Sequence, residues 1–279
     1  MLKKLILCCL AINVLVLANA QPLKTPAPSP TQTIKQDFGI GNIELSYSRP
    51  GMKGRKIYGD LVPFGKVWRT GANNATTLTF SDEVTIGGTK VPAGKYGLLS
   101  IPDKDNWTFI LTKQLDVTSP AAYKQESDVV RVKAKPTNMP GTPFETFTMQ
   151  FHNVKPSSTD LMLVWENTLV ALPITMDVET KVMAQINNVM NKDNRPYFQS
   201  AMYYMDNGKD MNQALIWLDK AFEQNPNAFW VQHQRANALA KLGRKDEAKA
   251  AATKSMAMAK EQKNDDYVKL NEKLLANLK

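Results

Sequence analysis

From residue 42 to residue 174 apolar and polar side chains alternate with a period of two, in short runs separated by glycine, proline, asparagine and aspartate. That is the pattern of half-buried strands joined by turns. Ile43, Leu45 and Tyr47 share one side of the first run, and residues 76–80 and 84–86 read as short strands. Gly87-Gly88 predicts a hairpin between two of them, because a two-residue primed turn needs positive φ at its centre. Residues 91–102 read as a strand entered through a tight corner, and Trp107, Phe109 and Leu111 alternate along the next. Val130, Val132 and Ala134 oppose Arg131, Lys133 and Lys135. Phe147, Met149 and Phe151, then Leu161, Leu163 and Trp165, then residues 169–174 close the series. About eight to ten short strands without helical periodicity predict an antiparallel β-sandwich or barrel.

At Asp177 the period changes. Val178, Val182, Ile186 and Val189 recur at helical spacing. Ala214, Leu218, Ala221 and Pro226 fit the small, large, small and helix-ending positions of a tetratricopeptide repeat, and 34 residues on stand Ala248, Ala252 and Ser255. The offset equals the length of that repeat, although Lys260 replaces the closing proline of the second unit. Helices are expected near residues 195–206, 211–224, 227–241 and 245–260, with Gly208 and Gly243 inside the paired units and a polar capping helix at 265–278. Two repeats are fewer than stand alone, so the leading helix and the cap are expected to complete the core. The fold class is therefore α+β multidomain, with an N-terminal antiparallel β-sandwich at residues 31–176 and C-terminal α-helical tetratricopeptide-like hairpins at 177–279.

The chain start carries Lys3 and Lys4, an apolar run over residues 5–17, and Ala18-Asn19-Ala20 as a small-residue cleavage site. Residues 1–20 thus read as a secretory signal peptide and the proline-rich residues 21–30 as a flexible leader. No later apolar stretch is long enough to span a bilayer, so the expected mature protein is exported, periplasmic or extracellular, and not membrane-spanning. Both cysteines, Cys8 and Cys9, leave with the signal, which excludes disulfides and thiol chemistry from the mature chain. The pair also sits too far inside the apolar run for a lipid anchor. Removal of two lysines takes the formal charge from +9 to +7.

That charge is concentrated. Residues 48–75, SRPGMKGRKIYGDLVPFGKVWRTGANNA, hold six basic residues against the single acid Asp60, with five glycines among them. One local cluster fits one acidic ligand or partner patch better than nucleic acid, which an exported protein rarely meets. The anionic-ligand site expected here comprises Arg49, Lys53, Arg55, Lys56 and Arg69, with Trp68 or Tyr58 stacking and Asn73 or Asn74 donating hydrogen bonds. The competing reading has the arginines paired with scattered acids while Trp68 and Phe64 plug the end of the sandwich.

Other candidates have bland explanations. Tyr96 in PAGKYGL reads as a corner tyrosine bonded to nearby backbone, Trp107 and Trp165 as core rather than a sugar platform, and Asp103 and Asp105 as turn residues. Only His152 and His233 are present, in different expected domains, and no G-x-S-x-G elbow occurs. No metal site, cofactor or catalytic residue is therefore assigned. A glycosidase pair of carboxylates stays open because no pair stands out.

The run SRPGMKGRKIYGDLVPFGKVWRTGANNATTLTF, followed by VPAGKYGLLSIP and WTFILTK, resembles an uncharacterised exported bacterial family, domain-of-unknown-function family 2911. The similarity covers roughly residues 31–177, and a helical tail with tetratricopeptide-like repeats is a common companion. The resemblance implies a bacterial origin and a periplasmic or extracellular place, and it transfers no catalytic residues. The combined expectation is a non-catalytic envelope binding or interaction protein. Its helical repeats would take a protein or peptide partner, and its basic loop an acidic glycan or lipid head group. A carbohydrate-active hydrolase and a structural scaffold are the alternatives.

Overall fold

A computed structural model of the chain describes residues 25–190 and 195–278. The expected signal peptide, both cysteines and the first residues of the leader, 21–24, lie outside the described residues. The chain divides into two compact units, one ending at Met176 and the other beginning at Asp177.

The first unit begins with β1 (Thr31–Phe38), β2 (Gly41–Ser48), β3 (Thr77–Phe80), β4 (Val84–Ile86), β5 (Thr89–Val91) and β6 (Gly94–Ile101). It continues with β7 (Trp107–Thr112), β8 (Asp128–Ala134), β9 (Thr137–Asn138), β10 (Phe144–His152), β11 (Ser158–Glu166) and β12 (Thr168–Thr175). One sheet has the order β1-β2-β3-β6-β7-β8 and the other β10-β11-β12-β4-β5, with β9 against β12. Every strand pair is antiparallel. Gly87 and Gly88 turn the β4–β5 hairpin with φ of 57° and 80°, the left-handed values a primed turn requires.

The alternating positions supply the core between the sheets. Ile43, Leu45 and Tyr47 on β2, Trp107 and Phe109 on β7, and Leu161, Leu163 and Trp165 on β11 are all buried. Tyr47 joins the sheets, its hydroxyl oxygen accepting from the Met149 amide at 2.8 Å. The Tyr96 hydroxyl donates to the Pro92 carbonyl at 2.9 Å, as a corner tyrosine does.

β6 is buried on both faces, which explains why GLLSI does not alternate. On its outer side Leu99, Ile110 and Val117 form a small second core with Val67, Ile101 and Tyr123 against it. The chain between β7 and β8 thus folds back over the sheet. It approaches so closely that a Cβ at Gly97 would stand 2.2 Å from the Gln114 carbonyl oxygen.

The second unit consists of α1 (Val178–Val189), α2 (Tyr197–Asp206), α3 (Met211–Gln224), α4 (Phe229–Lys241), α5 (Lys245–Glu261) and α6 (Asp265–Asn277). Side chains stop the first turns of three of them: Asp177, Asp210 and Asn264 accept from the backbone of Thr180, Asn212 and Tyr267 at 3.1, 2.9 and 3.1 Å. Ala214, Leu218 and Ala221 on α3 and Ala248, Ala252 and Ser255 on α5 are all buried. A polar chain crosses this core. His233 Nδ1 lies 2.8 Å from Asn271 Oδ1, Asn271 Nδ2 donates to Ser255 Oγ at 2.9 Å, and Ser255 donates to the Phe229 carbonyl at 2.7 Å. Because the Asn271 amide nitrogen is already donating, its oxygen accepts, which places the ring proton on His233 Nδ1. Among the described residues no helix is long and apolar enough to cross a membrane.

Candidate functional site

The basic aromatic segment is built in two parts. Residues 50–64 arch over one end of the sandwich, and residues 65–70 then run beside β6 past the point where β3 has ended. Gly65 N donates to the Pro102 carbonyl at 2.9 Å, and Trp68 and Ser100 exchange backbone bonds of 2.7 and 2.9 Å. Alternation along this strand-like run separates the residue types. Val67 packs outward on the small second core. Trp68 turns inward against Trp165, Phe147 and Tyr58, with centroids at 6.0, 5.1 and 6.4 Å. The indole nitrogen donates to the Gly71 carbonyl at 3.0 Å. Thr70 ends the run at a φ of 54°, a costly value for a β-branched residue. Its buried hydroxyl holds it there through a 2.9 Å bond to Ser100 Oγ.

Tyr58 is only 6% exposed and packs edge-on against Trp107 at 5.0 Å. Burial raises the pKa of its phenol, and the charge of Glu166 adds to the shift. Of the two aromatics expected to stack on a ligand, Trp68 is the one that reaches an open depression.

The three arginines are used differently. Arg49 donates from Nε to the Phe147 carbonyl at 3.3 Å and from Nη2 to Thr148 Oγ1 at 2.9 Å, which ties the end of β2 to β10. Arg55 curls onto its own loop, Nε to the Met52 carbonyl at 2.9 Å and Nη2 to the Gly51 carbonyl at 2.8 Å. Arg69 instead donates from Nη1 to the carbonyls of Asn73, at 3.0 Å, and Thr118. Among the described residues none of Arg49, Lys53, Arg55, Lys56, Lys66 and Arg69 forms an ion pair with an acid.

The structure therefore distributes the expected site residues over two places. Arg49 and the Lys53 backbone lie against β10, where the Lys53 amide donates to Glu145 Oε1 at 2.9 Å, while Arg55 stays on its own loop and Lys56 is exposed beside it. Arg69 instead reaches Thr118, on the chain between β7 and β8, and the Asn73 side chain donates to the Ser29 carbonyl at 3.0 Å. Between Arg69 and Thr118 is a depression of about 230 Å³. One wall is Leu61, Val62, Pro63, Lys66, Val67, Trp68 and Arg69, and the other is Thr118, Ser119 and Pro120. No carboxylate lines it.

The second wall is itself braced. Gln114 bonds the backbone of Ala122 and Lys124 at 3.0 and 2.7 Å. Tyr123 donates to Asp128 Oδ2 at 2.6 Å, and Arg131 Nη1 reaches the same oxygen at 3.0 Å. Burial and the Asp128 hydrogen bond push the Tyr123 phenol up to about 12.

With this geometry in view, a family model described as a protein of unknown function, DUF2911, matches residues 29–174, a little over half of the chain. The chain belongs to DUF2911. The DUF2911 match takes in both sheets, the basic segment and both walls of the depression, and it ends before the six helices. No curated protein and no solved structure matches the chain. Two features of this candidate site are not legible in the sequence: that Lys66, one of the six cations of the segment, joins Arg69 rather than the others, and that residues 118–120 are brought in from about 50 positions away by the fold.

Proposed function

We propose that this chain is an exported, non-catalytic binding protein whose sandwich unit recognises an anionic group in the depression between Lys66, Arg69 and the Thr118–Pro120 wall. The observation that carries this reading is the pairing of two cations with the absence of any lining carboxylate. Arg69 is held by carbonyl dipoles, so it keeps its whole charge for an incoming anion. Two other cations of the segment have different work: Arg49 ties the end of β2 to β10, and Arg55 braces its own loop. Acidic glycans and lipid head groups are the ligand classes an envelope location would supply. The helical unit, with buried small residues at a 34-residue offset, is read as tetratricopeptide-like hairpins that present a surface to a protein or peptide partner.

The test is thermal unfolding of the full chain with glucuronate, glycerol phosphate or inorganic phosphate, beside a Lys66→Gln variant. A ligand at about a hundred times its dissociation constant adds about 2.7 kcal/mol. Stabilisation of the wild type that shrinks in the variant supports the reading. Equal stabilisation of both proteins by every anion places binding elsewhere and overturns it.

A further inference from the structure

We infer that the depression takes a small carboxylate carried on a compact apolar group, with the carboxylate held on the Nε–Nη2 edge of Arg69. This rests on the anion-binding reading above and narrows its ligand. A guanidinium presents two N–H bonds side by side along that edge, which match the two oxygens of a carboxylate. In Arg49 and Arg55 the edge is occupied by protein acceptors. In Arg69 both bonds leave from Nη1, and among the described residues Nε and Nη2 have no acceptor. The two carbonyls that grip Nη1 also fix the plane of the fork, so little rotamer freedom is lost when a ligand docks.

The surroundings decide between anions. Leu61, Pro63, Val67 and Pro120 make much of the lining, and Lys66 is the only second charge. A phosphate would set three or four strongly hydrated oxygens against this largely apolar lining, and each oxygen that loses water without gaining a donor there is costly. A carboxylate needs only the fork and Lys66, and the rest of the ligand can face the apolar wall. The volume of about 230 Å³ lies below the roughly 300–1,000 Å³ of sites for drug-sized ligands, which limits the apolar part to about one ring or a short branched chain.

Calorimetric titration of the full chain with phenylacetate, its neutral analogue phenylacetamide, and inorganic phosphate tests the inference, with Arg69→Lys and Lys66→Gln alongside. The expected result is saturable phenylacetate binding, with phenylacetamide weaker by about tenfold or more and phosphate unable to compete. Arg69→Lys keeps the charge but loses the fork, and it should weaken phenylacetate by about tenfold. Lys66→Gln alters an exposed side chain, so it reports the charge contribution even if Arg69→Lys proves poorly folded. Phosphate binding that depends on Lys66, without phenylacetate binding, overturns the inference and leaves the anion reading standing. Equal binding of phenylacetate and phenylacetamide, or no binding by any of the three, overturns the inference, and the anion reading falls with it when glucuronate and glycerol phosphate also fail to bind.

Discussion

Trp68 and Trp165 lie stacked, ring centroids 6.0 Å apart and planes inclined by 17°. Through this contact the basic segment is anchored in the core that both sheets share, and its cations are carried on a rigid support. Trp68→Ala should therefore cost about 3 kcal/mol or more, whereas Lys66→Gln on the surface a few positions away should change stability by less than about 0.5 kcal/mol. Denaturant unfolding of the two variants checks this. Equal stabilities would mean that the indole is not part of the core.

Gly97 supports the opposite wall. An added Cβ would meet the Gln114 backbone oxygen at 2.2 Å, and backbone cannot swing aside as a flexible side chain can. Gly97→Ala should destabilise the protein by about 1–3 kcal/mol. It should also loosen the residues leading to Thr118, visible as faster amide exchange across 113–123.

In the helical unit Asn271 connects His233 to Ser255 with no exposure of its own. Asn271→Leu would leave the His233 Nδ1 proton unanswered, at about 1–3 kcal/mol. Ser255→Ala in the same network should be non-additive with it. A double-mutant cycle measures the coupling, and strict additivity would deny that the chain acts as a unit.

Tyr123 gives the wall a pH signature. An unfolded phenol titrates near 10, while burial and the Asp128 bond push Tyr123 up to about 12. A raised pKa favours the protonated form, so the contribution is complete below about pH 10 and is lost as pH rises through about 12. The stability advantage of wild type over Tyr123→Phe should shrink across that window; a constant difference would contradict the assignment.

Much of the fold is legible along the chain because burial imposes a period. Ile43, Leu45 and Tyr47 announce β2, and the change of period at Asp177 coincides with the start of helix. β1 escapes that reading because Gln32 and Gln36 occupy its less exposed side. Gln32 serves there as the acceptor of a 2.9 Å bond from the Tyr47 hydroxyl. Residues 65–70 escape it because Val67 and Trp68 serve two different cores on opposite faces. At the site, charge density identifies the segment but not which cation faces which way. Carbonyls contributed by Phe147 and Thr118, far off in sequence, orient Arg49 and Arg69, and no local pattern records them.

NMR observation of the arginine Nε–H groups during titration with phenylacetate tests the anionic-site account most directly, with the Arg69 signal assigned by its loss in Arg69→Lys. The Nε–H groups of Arg49 and Arg55 already donate to Phe147 and Met52 and should hold still while that of Arg69 moves and saturates. Movement of the Arg49 or Arg55 signals with Arg69 unchanged would contradict the account and place the anion on the β10 side of the sandwich.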